Sequence, residues 1–194
     1  MNDTHFDHKL TLDQLKALLL RAKSDTKNGE RNYLMILIGV CHGLRNMEIC
    51  GLTAANFDME DATIIVRRGK KSLKTTQPLM RSDDPLLDEY GAVNAYLLDE
   101  NGIPKRGRLF DIKTGMVRHM FKRYAKDAGI PKALRHPHVL KHTAAHYALD
   151  SSKRDLVYVQ KFLGHKNLSS TGMYLKVSDT EACAAIQPNY FKKF

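Results

Sequence analysis

The stretch ATIIVRRGKKSLKTTQPL, Ala62 to Leu79, decides the fold class of this 194-residue chain. Ala62 to Arg67 is β-branched, Gly69 to Lys74 is a turn rich in Gly and Lys, and Thr75 to Leu79 returns. That is the pattern of an antiparallel hairpin with a basic tip. It is the one convincing strand region of the chain.

Outward from the hairpin the sequence reads as helices. Thr11-Leu12-Asp13-Gln14 has capping-box spacing, and Leu15, Leu18 and Leu19 follow at helical intervals, so a helix starts near Leu12. An apolar helix from about Arg31 to His42 stops at Gly43, and Arg45 to Gly51 suggests a short one. Further helices are expected near Pro85–Leu98, Thr114–Ala128, His138–Leu149, Arg154–Leu163 and Ser170–Leu175. Gly102, Gly107, Gly129 and Gly164, with Pro104, Pro131 and Pro137, punctuate them. The expected fold is mainly α with a small antiparallel β-sheet (α+β), in one compact unit without internal repeats.

Composition sets the class. With 43% hydrophobic and 27% charged residues, the chain matches a folded soluble protein, neither disordered nor membranous. The longest apolar run, Leu34 to Cys41, is too short to span a bilayer, and the amino terminus lacks a signal pattern. A cytoplasmic location is therefore expected. Cys41, Cys50 and Cys183 form no Cys-x-x-Cys pair, so neither a disulfide framework nor a thiolate zinc site is indicated. They read as small buried hydrophobes.

The net charge of +10 is segregated. Asn101 to His142 carries eleven Lys or Arg against Asp111 and Asp127, and Arg67 to Arg81 carries six basic residues and no acid. Asp83 to Glu100 carries six acids and no base. A solvated helical face usually mixes signs, so this separation favours a polyanion-binding surface, with nucleic acid as the leading partner.

Four segments then act together: GLRNMEICGLT (Gly43–Thr53), VRRGKKSLKTTQPL (Val66–Leu79), HPHVLKHT (His136–Thr143) and LGHKNLSSTGMY (Leu163–Tyr174). In this order and spacing the chain resembles the catalytic domain of the tyrosine recombinase, or phage integrase, family, over nearly its whole length from about Leu10 to Val177. The resemblance implies a site-specific DNA recombinase that cleaves and rejoins strands through a 3′-phosphotyrosyl link, with no metal, nucleotide or other cofactor. Such chemistry needs a nucleophile, neutralisation of the non-bridging oxygens and a proton for the leaving sugar oxygen.

By this resemblance Tyr174 is the nucleophile, although an isolated tyrosine would read as core filling. Arg45 is the first catalytic arginine, whose fork can donate two hydrogen bonds to a phosphate, and Glu48 on the same helical face is placed to aim it. Lys70 matches the hairpin lysine that protonates the leaving 5′-oxygen, with Lys71 and Lys74 as alternatives because turn length varies. His138 corresponds to a proton acceptor and phosphate ligand, His165 donates to a non-bridging oxygen, and His142 supports. Arg67, Arg68, Lys71 and Lys74 of the hairpin, and Arg118, Lys122, Arg123 and Arg135 of the basic segment, are expected on the DNA backbone.

One position departs from the family pattern. Lys141 stands where the second arginine is expected, and a flexible ammonium does not reproduce a planar fork. Three readings stay open: a working substitute, an attenuated enzyme, or a DNA-binding relative with little cleavage. His138, His142 and His146 share one helical face at a spacing that could hold zinc, but no Glu follows the first His and Lys141 opposes a cation.

The expected organisation is a catalytic domain over residues 1–177 and a tail over 178–194 that could dock on a neighbouring protomer. The helical core-binding domain usual in the family is expected to be absent. The chain is either an excised catalytic domain or similar to the short fimbrial-phase-variation invertases. The implied partners are double-stranded DNA, a homo-tetramer on DNA that is monomeric or weakly associated without it, and accessory DNA-bending proteins, with no membrane. The implied setting is cytoplasmic and nucleoid-associated, in a bacterium, an archaeon or a phage. The other enzymatic readings are a type IB topoisomerase and a telomere resolvase.

Overall fold

The computed structural model describes residues 8–69, 74–99, 101–152, 155–167 and 169–172. Helix α1 (Leu12–Lys23) opens with the capping box its sequence announces. The Gln14 amide donates to the Thr11 hydroxyl at 3.2 Å, and the Thr11 amide to the Gln14 side chain at 3.0 Å. Two otherwise orphaned donors are thereby satisfied, and losing such a cap costs about 1 kcal/mol. Leu15, Leu18, Leu19 and Ala22 form its buried face.

Helix α2 (Gly29–Cys41) is the centre of the core. Every residue from Asn32 to Val40 is buried, as befits a helix apolar all round. The chain then turns at Gly43, with φ of +59°, into the short α3 (Asn46–Cys50), whose N-cap is Arg45. A β-carbon at Gly43 would also lie 2.7 Å from Leu163 Cδ2. Glycine is thus needed for both backbone and space.

The hairpin forms from β2 (Thr63–Arg67) and β3 (Lys74–Pro78), with Ile65 opposite Thr76 and Arg67 opposite Lys74. A third strand, β1 (Phe57–Asp58), pairs antiparallel with β2 and was not expected. Two residues are too few to show an alternating pattern. Ile64 and Val66 point inward, and so does Arg68 beyond the end of β2.

Four further helices and a last short turn follow: α4 (Glu89–Leu97), α5 (Thr114–Asp127), α6 (His138–Ser151), α7 (Leu156–Leu163) and α8 (Ser169–Gly172). The expected start of α4 at Pro85 moves to Glu89, because the side chains and carbonyl of Asp84 hold Leu86 and Leu87 in a turn. Helix α5 buries Val117, Met120, Phe121, Tyr124 and Ala125 and exposes Arg118, Lys122 and Arg123. Helices α6 and α7 meet through Ala145, Leu149, Val159 and Leu163. Cys41 and Cys50 are half-buried against the core. Among the described residues no helix is long and apolar enough to cross a membrane.

Candidate active site

The N-terminus of α3, the exit of β2, the first turns of α6 and the end of α7 approach one another around Glu48. Its carboxylate accepts from the Arg45 amide (Oε2, 2.8 Å), from Arg45 Nη1 (Oε1, 3.0 Å) and from the Gly69 amide (Oε1, 3.3 Å). Arg68 Nη1 lies 3.6 Å from Oε2. Burial alone would raise the Glu48 pKa, but the Arg45 amide and the Arg68 and Arg45 guanidiniums hold it below the usual value. One carboxylate therefore fixes Arg45 and the backbone at the hairpin turn together. Arg45 keeps a side chain that is 41% exposed, so its fork remains open to an anion.

Lys141 projects from the first turn of α6 into this cluster. It is 2% exposed, and its Nζ is a buried polar atom without a hydrogen-bond partner among the described residues. An unpartnered buried ammonium is costly. Burial, and then the positive charges of Arg45 and Arg68, push its pKa down to about 7. An arriving phosphate would supply the missing acceptor.

His165 follows α7, and its ring is buried, with Nδ1 3.0 Å from the Thr171 hydroxyl. Burial, then Lys141, Arg45 and Arg68, lower its pKa to about 4. The imidazole is neutral at neutral pH, and when Thr171 donates to Nδ1, Nε2 carries the hydrogen and can donate. His138 is exposed at the start of α6, and its pKa is lowered by partial burial and then by Lys141, His136 and Arg45. Its ring meets His142 edge-on, with centroids 4.6 Å apart and planes at 85°. Burial, with His138 and other histidines, takes the His142 pKa down to about 4.

The structure thus brings Arg45, Glu48, His138, Lys141, His142 and His165 to one region. Lys70, Lys71, Tyr174 and the tail over 178–194 lie outside the described residues. Of the expected DNA contacts, Arg67, Lys74, Arg118 and Lys122 are exposed. Arg123 is exposed but paired with Asp25 at 2.8 Å, and Arg135 is half-buried with Nε donating to the Ile130 carbonyl at 2.6 Å.

Arg68 is a correction. Its side chain is 0% exposed, and its fork donates to the carbonyls of His42, Gly43 and Phe162. The alternation Ile64, Val66, Arg68 is the signal for an inward side chain, and the basic surroundings mask it.

A second buried polar chain was missed altogether. His42 Nδ1 lies 2.6 Å from Gln77 Oε1 and Nε2 lies 2.7 Å from Glu89 Oε1, while Gln77 Nε2 donates to the Phe162 carbonyl at 2.6 Å. All three residues are buried. Gln77 falls on the inward face of β3 between Thr75 and Leu79, which was the only local hint.

The chain is similar to known proteins over most of its length. The model of the phage integrase family matches residues 8–181. Tyrosine recombinase XerA of Thermococcus kodakarensis is 32% identical over 173 residues, covering 87% of this chain and 58% of XerA. Type 1 fimbriae regulatory protein FimB of Escherichia coli K12 is 28% identical over 174 residues, covering 85% of this chain and 82% of FimB. The crystal structure of XerA recombinase superposes with a TM-score of 0.66 at 25% identity, over 93% of this chain and 64% of that one. The chain therefore spans somewhat over half the length of the XerA relative.

Proposed function

Since the chain belongs to the phage integrase family, we propose that it is a tyrosine-type site-specific DNA recombinase whose catalysis uses side chains alone, without metal or ATP. The observation that carries this reading is the buried Lys141 ammonium, without a hydrogen-bond partner among the described residues and set among Arg45, Arg68 and His165. A cationic site with an unspent donor suits a phosphodiester.

In the proposed reaction the Tyr174 oxygen attacks the phosphorus and the bond to the 5′-oxygen breaks, leaving a 3′-phosphotyrosyl ester and a free 5′-hydroxyl. His138 takes the tyrosine proton. Lys70 gives a proton to the leaving oxygen. Arg45, Lys141 and His165 hold the non-bridging oxygens as charge builds. Because the ester keeps the bond energy, attack by a 5′-hydroxyl reverses the step and reseals the strand. Exposed Arg67, Lys74, Arg118 and Lys122 line the DNA backbone, with Lys71 and the remaining face of Arg123 and Arg135 beside them. A homo-tetramer on DNA, assisted by DNA-bending proteins, completes strand exchange, with the 178–194 tail as the docking segment.

The test is to incubate the protein with fragmented DNA at low salt, recover detergent-stable adducts and sequence them, with Tyr174→Phe alongside. Adducts at one sequence, lost in the variant, are expected. Adducts spread evenly would instead mean a topoisomerase-like activity. DNA binding without adducts would mean either a non-catalytic relative or a catalytic domain deprived of its core-binding partner domain, and repeating the reaction with that domain supplied decides between them.

A further inference from the structure

Arg68 spends its fork on protein, at a place where two helices end. The C-termini of α2 and α7 both point at it, and each carries about half a negative charge from its aligned peptide dipoles. Nη2 donates to the carbonyls of His42 and Phe162, both at 2.9 Å. Nη1 donates to the Gly43 carbonyl at 3.2 Å and faces Glu48 Oε2 at 3.6 Å. The two terminal nitrogens thus serve three backbone acceptors and one carboxylate. The Phe162 carbonyl has no helical partner this close to the end of α7, and takes its second donor from Gln77 at 2.6 Å.

We propose that Arg68 is a positioning residue that fixes the spacing between Arg45 and His165 by gripping the ends of α2 and α7 and the carboxylate of Glu48. The proposal rests on the reading of Arg45 and His165 as phosphate ligands. On one side Arg68 orients Glu48, which holds Arg45 Nη1 at 3.0 Å. On the other it holds Phe162, three residues before His165, whose own amide donates to the Gln160 carbonyl at the same helix end. Gly164 lies between them with φ of +63°, and a β-carbon there would come within 2.7 Å of Arg68 Cγ. The loop carrying His165 is therefore packed directly on the Arg68 stem.

Gln77 is the auxiliary of this clamp. His42 and Glu89 lock its amide from behind, and Glu89 Oε2 also accepts from the Met80 amide at 2.9 Å. Lysine cannot replace Arg68, because a single ammonium cannot span acceptors set on separate elements. A DNA-contact role is unsuited to a guanidinium with no exposed surface.

The test compares Arg68→Lys, which keeps the charge, with the wild-type chain in four measurements. These are thermal melting, the salt dependence of DNA affinity, the His165 imidazole NMR signals, and the single-turnover rate of adduct formation on saturating DNA. The clamp predicts an unchanged salt slope, displaced His165 signals, and a rate lower by about tenfold to a hundredfold, the scale of an ångström-sized misplacement. A salt slope reduced by about one phosphate in Arg68→Gln, which removes the charge, with the His165 signals of that variant unmoved, would show a DNA contact and overturn the proposal. If Arg68→Lys does not fold, Gln77→Met removes the second donor to Phe162, together with the hydrogen bond to His42 Nδ1, and leaves Arg68 itself in place. Displaced His165 signals then support the clamp, and unmoved signals overturn it. A wild-type chain that forms no adduct bears on the recombinase reading alone, because the NMR and salt measurements still judge Arg68.

Discussion

Glu48 receives two hydrogen bonds from the residue it aims: the Arg45 amide donates to Oε2 at 2.8 Å and Arg45 Nη1 to Oε1 at 3.0 Å. The same carboxylate caps α3 and orients the guanidinium. Helix formation and site geometry are therefore one event at this position.

Glu48→Gln should lower single-turnover cleavage by about tenfold to a hundredfold, because the neutral amide must turn an N–H toward a guanidinium. It should also alter acid stability. The Glu48 pKa is held below its ordinary 4.5, so its stabilisation is present above that value and lost as pH falls through the folded pKa. Chemical denaturation of the variant between neutral and acid pH should show a shallower loss of stability than wild type.

Lys141 should make DNA affinity pH-dependent on the alkaline side. Its pKa is about 7 in the free protein, and a bound phosphate raises it. Its contribution is complete below pH 7 and falls as pH rises from there to the bound-state value, by up to about tenfold per pH unit. Lys141→Arg should flatten that limb in a fluorescence-anisotropy titration. A limb of equal slope in the arginine variant would assign the titration to another group.

Lys141→Met should separate stability from function. It removes a buried unpartnered charge, so melting temperature should rise, while cleavage should fall by about a hundredfold to a thousandfold for a lost transition-state donor. Calorimetry and adduct kinetics on the same preparation check both signs.

Gly164→Ala should destabilise by about 2–4 kcal/mol, from the left-handed backbone and the collision with the Arg68 stem. Gly115→Ala is the control, because a β-carbon there meets no atom within 4 Å. Urea unfolding should find that control neutral or stabilised.

Arg118→Ala and Lys122→Ala should each weaken DNA binding evenly across sequences and reduce the salt slope by about one. Both side chains stand on the exposed face of α5. Affinities measured over a range of salt concentrations give the slopes directly.

The sequence by itself determined the local elements, because capping, helical period and strand alternation act over a few residues. Thr11 and Gln14 announce α1, Gly43 ends the approach to α3, and the β-branched run before Gly69 makes the hairpin. The order of the four motifs likewise placed Arg45, His138, Lys141 and His165 as candidates. Tertiary structure alone decided which cations remain available. Arg67 and Arg68 are neighbours in an unbroken basic stretch, yet one is exposed and the other fully enclosed. The difference arises because α7, almost a hundred residues later, brings its orphan Phe162 carbonyl over the end of β2. His42, Gln77 and Glu89 were hidden for the same reason, since each is an ordinary polar residue until three distant elements close around it. Burial turns a surface charge into a structural one, and burial is a property of the packed elements together.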